Sequence, residues 1–126
     1  MGNYEDTLKD IEATIGLVPG FMKNLADDVL IKEWSLFKKY VLGKSKIPAK
    51  YRELIGLAIA AATRCPYCTL FHTGAAKIHG ATEAELQEIY FLASFSGRWS
   101  TMLFAQQYDL EKFTEEVHKI GAHLRK

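Results

Sequence analysis

Residues 53–72 read ELIGLAIAAATRCPYCTLFH, a stretch that holds both cysteines of the chain. Its apolar part covers about ten residues, half of the roughly 20 that span a bilayer, so it predicts a buried helix. Pro66 cannot continue a helix but suits the first position of a new one. The stretch therefore predicts a helix from Pro48 to Arg64, a break, and a second helix that begins at Pro66.

Helical patterns continue upstream of this pair, and no sustained alternation of apolar and polar residues predicts a strand. A helix over residues 4–15 has its apolar side chains on one face, with Gly16 as a left-handed cap. A short helical turn follows Pro19. A further helix over residues 28–42 carries the core stripe Trp34, Phe37 and Val41 and is closed by Gly43.

Downstream, Gly80 ends the helix that starts at Pro66. A capping box formed by Thr82 and Glu85 then opens a helix that runs to about Phe95. Residues 98–126 predict one or two helices with an apolar stripe. That stripe consists of Phe113, Val117, Ile120 and Leu124.

The length and the succession of helical patterns predict one all-α domain, a helical bundle spanning residues 1–126. A chain of this length buries a core without disulfides or a structural metal. With 16 basic and 15 acidic side chains the net charge is +1, so we expect neither a nucleic acid nor a membrane as partner. The first ten residues have no apolar core and no basic leader, so we expect no signal peptide and a cytoplasmic location.

The cysteines allow three interpretations: a redox pair, part of a metal site, or two thiols that are close by chance. The break at Pro66 places Cys65 near a helix N-cap and Cys68 in the first turn, where the helix dipole favours a thiolate. A C-x-x-C pair alternates between dithiol and disulfide with little backbone movement. Structural zinc normally takes four ligands, and a set of Cys65, Cys68, His72 and Glu53 would be lopsided. The pattern alone leaves all three interpretations open.

Three further side chains are candidates for the same site. His72 lies one turn after Cys68, where it could accept the thiol proton, although a core or surface histidine is as common. Glu53 enters an apolar helix, where a carboxylate needs a partner, and a surface ion pair with Arg52 or Lys50 is the simpler interpretation. Tyr67 could donate to the site, but an aromatic wall is the preferred interpretation.

The run from Glu53 to His72 resembles the carboxymuconolactone decarboxylase-like superfamily in its alkylhydroperoxidase, AhpD-like branch. The resemblance rests on Glu53 twelve residues before Cys65, the C-x-x-C pair, and a histidine four residues after Cys68. It extends over residues 34–95, including the lead-in KIPAKYRE and the following GATEAELQEIYFLASF. A lone C-x-x-C is a weak signal, whereas this combination is specific.

The resemblance implies an all-helical, oligomeric protein, a homotrimer or homohexamer, with its site beside a subunit interface. It implies that Cys68 is the attacking thiolate, that Cys65 resolves it as disulfide partner, and that His72 and Glu53 form a proton relay. The implied activity is that of a thiol-disulfide oxidoreductase of the alkylhydroperoxidase, peroxiredoxin-like type. Its implied partners are a hydroperoxide substrate and an external dithiol or redox protein as reductant, with no cofactor and no metal.

The chain departs from the peroxidase members of that branch at one position. Those members have a histidine directly before the second cysteine, whereas this chain has Tyr67, so we expect a slower relay or one tuned to another electron donor. The decarboxylases that name the superfamily do not depend on a C-x-x-C pair, which argues against a lyase here. A non-enzymatic, metal-binding or structural oligomeric protein is the other alternative.

Overall fold

The structure, a computed structural model, describes residues 3–126, and within that range it contains helices and no strand. The predicted all-α class is therefore confirmed. The helices are α1 (Tyr4–Ile15), α2 (Asp27–Phe37), α3 (Ala49–Thr63), α4 (Pro66–Ile78), α5 (Glu83–Gln106) and α6 (Leu110–Leu124). A 3₁₀ turn, Gly20–Asn24, precedes α2, and a π-helical turn, Lys38–Leu42, follows it.

The chain divides into two compact units. An N-terminal unit ends at Glu53 and a C-terminal unit begins at Leu54, so the boundary falls inside α3. That the whole chain is a single domain stays a prediction. None of the helices described for residues 3–126 is both long and apolar enough to cross a membrane.

Local caps set the bounds of α1. The side chain of Asn3 accepts a hydrogen bond from the backbone N–H of Asp6 at 2.9 Å, which satisfies one of the donors that a helix start leaves open. At the other end Gly16 has φ 93°, a left-handed conformation that glycine adopts without strain. The predicted helix and its glycine cap are both confirmed.

The core of the N-terminal unit is centred on Trp34, whose side chain is 1% exposed. Ile11 from α1 and Leu30 from α2 are buried with it, and Phe37 stacks on its ring at a centroid distance of 5.8 Å. Each fully buried apolar side chain of this kind contributes about 1.5–3 kcal/mol relative to an exposed one. Trp34 and Phe37 of the predicted stripe thus lie on the face that joins α2 to α1, whereas Val41 lies beyond the end of α2, in the π-helical turn.

One polar contact ties this core to the surface. The indole Nε1–H of Trp34 donates to Asp10 Oδ2 at 2.7 Å, and Lys38 Nζ donates to the same oxygen at 2.8 Å. The Lys38 and Trp34 hydrogen bonds, in that order, hold the pKa of Asp10 below its ordinary value of 3.8. The carboxylate therefore satisfies an indole donor that would otherwise be buried without a partner.

The C-terminal unit joins α3, α4 and α5 around Leu54, Leu57, Ala76 and Leu86. As predicted, α4 starts at Pro66, Gly80 lies just beyond its end with φ 93°, and the capping box opens α5. Both hydrogen bonds of that box are present, from the Glu85 N–H to the Thr82 hydroxyl and from the Thr82 N–H to the Glu85 carboxylate.

The predicted end of α5 near Phe95 is wrong, because the helix continues to Gln106. A glycine inside a helix costs only about 1 kcal/mol, so Gly97 does not stop it. Phe91, Phe95 and Trp99 lie four residues apart and follow one another along the helix, with ring centroids 5.1 and 5.2 Å apart. Such i, i+4 aromatic contacts favour continuation of the helix.

We expect Asp10→Asn to lower the thermal midpoint of unfolding at neutral pH, because the charged acceptor shared by Trp34 and Lys38 is lost. The folded-state pKa of Asp10 is depressed, so its contribution is present above pH 3.8 and is lost as the pH falls through the folded value. Thermal unfolding of wild type and variant across acidic pH should therefore show their difference shrinking below pH 3.8. Glu12→Gln, an exposed change on the same helix, is the control, and a difference independent of pH would contradict the assignment.

Candidate functional site

The N-terminus of α4 is built around the two cysteines. Cys65 is the N-cap residue, Pro66 is the first helical residue, and the Cys65 Sγ accepts a hydrogen bond from the backbone N–H of Cys68 at 3.2 Å. Cysteine thus does here what serine or aspartate does at most helix starts. The predicted placement of both cysteines is confirmed, and both are present as thiols.

The turn that delivers Cys65 to this position depends on Arg64. Arg64 has φ 58°, the left-handed conformation in which helices commonly end on glycine. The N–H of Cys65 donates to the carbonyl of Ala60 at 2.9 Å and that of Arg64 to Ala61 at 3.2 Å, the two bonds of a Schellman motif. Sequence reasoning missed this turn because it expects a glycine where the chain has an arginine.

The two thiols have opposite electrostatic environments. The backbone N–H of Cys68, followed by the Cys68 thiol, lowers the pKa of Cys65 from its ordinary 9.0. The hydrogen bond to Cys65, followed by desolvation and the Cys65 charge, raises the pKa of Cys68 from the same value. The pair therefore loses its first proton from Cys65, while Cys68 keeps its proton and donates it to the Cys65 sulfur.

Cys65 has the lower pKa of the two thiols, but Cys68 is the more exposed to solvent. Cys68 is exposed, whereas Cys65 is half-buried and borders an open cleft of about 700 Å³ on the side of α4. Arg64, Pro66 and Leu70 also line this cleft. A small reactant thus reaches Cys68 directly from solvent. The side chain of Tyr67 is 84% exposed, and its backbone N–H adds a further donor near the Cys65 sulfur.

His72 lies on α4 one turn after Cys68, as predicted, and its ring is half-buried. The ring packs edge-on against Phe71, with centroids 5.2 Å apart, and lies directly against the backbone of Gly56 on α3. Within residues 3–126 no three histidine, cysteine, aspartate or glutamate side chains converge into a group that could hold a metal ion. Cys65, Cys68 and His72 are therefore neighbours on α4 without the convergence of a ligand set.

Glu53 is 2% exposed on α3, so it is a buried carboxylate and not a surface one. The neighbouring Arg52 donates to the Tyr40 carbonyl at 2.6 Å and to the Ser45 hydroxyl at 3.1 Å. Gly56 follows Glu53 by three residues and so lies on the same face of α3. Sequence reasoning did not single out Gly56, although a glycine inside an alanine-rich helix is an available signal.

A sequence model of the Carboxymuconolactone decarboxylase family matches residues 30–108, which include α3, α4 and all the site residues above. The chain belongs to the carboxymuconolactone decarboxylase family. The predicted resemblance to this superfamily and to its AhpD-like branch is thereby confirmed, with support from a solved structure.

The crystal structure of the alkylhydroperoxidase AhpD core from Rhodospirillum rubrum is similar to this chain with a TM-score of 0.73 and 29% sequence identity. The similarity covers 88% of this chain and 85% of that one. An uncharacterized protein of Cupriavidus necator is 44% identical over 43 residues, which are 34% of this chain. The matched segment of this chain spans only 38% of that relative's length.

We expect the two single-cysteine variants to separate the environments of the thiols. Cys68→Ser retains the backbone N–H that donates to Cys65, so the Cys65 thiol should still titrate below 9.0. Cys65→Ser removes the neighbour that raises the pKa of Cys68, so Cys68 should titrate lower than it does in the wild type. The pH dependence of alkylation by iodoacetamide measures both values, and a Cys65 thiol that titrates at or above 9.0 would contradict the assignment.

Proposed function

We propose that this protein is a thiol-disulfide oxidoreductase that reduces hydroperoxides with the Cys65 and Cys68 pair. The observation that supports this most directly is the hydrogen bond from the Cys68 N–H to the Cys65 sulfur, which favours the thiolate form of Cys65. Membership of the family and the likeness to the AhpD core of Rhodospirillum rubrum support the same chemistry.

In the oxidative half-reaction, Cys68 attacks the terminal oxygen of the hydroperoxide because it is the exposed thiol. Its proton leaves, a sulfur–oxygen bond forms and the oxygen–oxygen bond breaks, which yields a sulfenic acid on Cys68 and an alkoxide that is protonated to the alcohol. The Cys65 thiolate then attacks the Cys68 sulfur and displaces hydroxide, which is protonated to water. Two thiols are oxidised to one disulfide, and one hydroperoxide is reduced to an alcohol and water.

His72 and Glu53 are the proposed proton relay. Because the pKa of Cys68 is raised, its thiol needs a base before it attacks, and His72 is one turn away on the same helix. A buried carboxylate such as Glu53 holds an imidazole in one orientation and stabilises its protonated form. Tyr67 is a solvent-facing neighbour of the pair and not a member of the relay.

The reductive half-reaction requires an external dithiol or redox protein. Its thiolate attacks the exposed Cys68 sulfur, and Cys65 leaves as the thiolate because the thiol with the lower pKa is the better leaving group. The second thiol of the reductant then attacks the mixed disulfide, which restores Cys68 and leaves the reductant oxidised. A cytoplasmic location, where such reductants are abundant, stays a prediction.

We further propose that the chain works as a homo-oligomer, a trimer or a hexamer. No residue of α6 is buried, and its apolar stripe ranges from 38% exposed at Phe113 to 74% at Leu124. A helix of about 12–15 residues is only marginally stable in water without a packing partner. A second copy that covers this stripe would supply one.

We expect Cys68→Ser to abolish hydroperoxide-dependent turnover with a dithiol reductant, because no sulfenic acid can form. Cys65→Ser should also stop turnover but should accumulate a sulfenic acid on Cys68, detected by mass spectrometry after trapping with dimedone. Each variant is the matched control of the other, since both replace one sulfur by oxygen at the start of α4.

Full turnover in the Cys68→Ser variant would contradict the mechanism. A sulfenic acid trapped on Cys65 in that variant, with none on Cys68 in the other, would instead reverse the roles of the two thiols. A lactone decarboxylase activity that survives the loss of both cysteines would favour the lyase alternative. One zinc bound per chain after purification without chelators would favour the metal-binding alternative.

We expect Ile120→Lys to shift the protein toward smaller species in analytical ultracentrifugation, because it places a charge in the middle of the apolar stripe of α6. Ala122→Lys adds the same charge outside the stripe on the same helix and should leave the assembly intact. An unchanged sedimentation profile for Ile120→Lys would contradict the use of this stripe as a subunit contact.

A further inference from the structure

One contact between α3 and the site involves a residue with no side chain, Gly56. A methyl group on the Gly56 α-carbon would lie 2.5 Å from Cε1, 2.6 Å from Nδ1 and 2.7 Å from Nε2 of His72. All three distances are shorter than carbon atoms tolerate in folded proteins. The ring edge that carries both nitrogens of His72 therefore occupies the space that any other residue at position 56 would fill.

The direction of α3 shows which part of the helix the His72 ring covers. Side chains on a helix lean toward its N-terminus, so a side chain at position 56 would cover the turn that begins at Glu53. The imidazole of His72 lies where that side chain would be. Gly56 thus lets both ring nitrogens approach the backbone of α3.

Two other helical glycines, on α4 and α5, have no such neighbour. A methyl group on Gly74 of α4 or on Gly97 of α5 would have no heavy atom within 4 Å. Glycine weakens a helix interior relative to alanine, so a glycine inside the alanine-rich α3 needs a reason of its own. The His72 ring supplies that reason at position 56.

We infer that Gly56 is a positioning residue, which seats the His72 imidazole against α3 so that His72 acts as the base for Cys68. This inference rests on the proposed function for the role of His72, but the contact itself does not. Besides His72 itself, the two helices that meet at His72 carry seven titratable side chains: Lys50, Tyr51, Arg52 and Glu53 on α3, and Tyr67, Cys68 and Lys77 on α4.

The test is the variant Gly56→Ala in a Cys65→Ser background, in which Cys68 is the only thiol. The added methyl group should displace the imidazole, shift its C2–H resonance in the NMR spectrum, and slow the alkylation of Cys68 at neutral pH by about a hundredfold, the low end of what a general base contributes. Gly74→Ala, the same change on α4 with open space around it, should leave both readouts as they are.

Repeating Gly56→Ala in a protein that lacks the His72 ring distinguishes a positioning role of Gly56 from a merely structural one. In a His72→Ala background the clash is gone, so adding Gly56→Ala should change neither the alkylation rate nor its pH profile. This double variant also keeps the test usable if Gly56→Ala alone folds poorly. Equal losses in the two backgrounds would overturn the inference, as would a Gly56→Ala variant with the wild-type His72 resonance.

Failure of the proposed function would look different. If His72→Ala itself retained full peroxide turnover, the relay would be wrong, but the His72 resonance would still report whether Gly56 seats the ring. A shifted resonance with unchanged Cys68 alkylation would overturn the catalytic part of the inference.

Discussion

The backbone N–H of Cys68 donates to the sulfur of Cys65, and this hydrogen bond joins the start of a helix to the reactivity of a thiol. A helix start leaves several backbone donors without partners, and those donors stabilise negative charge. Because Cys65 is the residue that caps α4, its sulfur receives this stabilisation whenever α4 is folded. Folding of the start of α4 therefore favours the thiolate form of Cys65.

The elements around this bond hold it in place. The left-handed Arg64 turns the chain out of α3, and Pro66 fixes the first residue of α4, so Cys65 is held between two constrained residues. A non-glycine residue in that conformation costs roughly 1–2 kcal/mol, which the two Schellman hydrogen bonds and the packing of α3 against α4 offset. Leu57 and Ala76 are buried where α3 packs against α4, and the His72 ring lies against Gly56 in the same contact.

Much of this could be predicted from local rules. Proline at a helix start, glycine after a helix end and the Thr82 capping box each depend on a few adjacent residues, so they placed most helix bounds and both cysteines correctly. The continuation of α5 past Phe95 depends on aromatic contacts spread over two turns, which outweigh one glycine.

What the sequence could not show depends on contacts between helices. The seat of His72 on Gly56 is set by how α3 and α4 pack, and Arg64 adopts a conformation that its residue type disfavours. The burial of Glu53 likewise could not be read from its neighbours in the sequence. The electrostatic difference between the thiols arises from a hydrogen bond within the C-x-x-C pair, whose direction the spacing alone does not give. The proposed redox role depends on these features, which the spacing of the two cysteines does not reveal.

The central claim is that Cys65 and Cys68 exchange between dithiol and disulfide in response to a hydroperoxide. The most direct measurement is a count of free thiols per chain, by alkylation and mass spectrometry, before and after one equivalent of a hydroperoxide and again after a dithiol. The account predicts that both thiols disappear together into a Cys65–Cys68 disulfide, with one alcohol formed per chain, and that the dithiol restores both. Two thiols that persist through the peroxide step would contradict it.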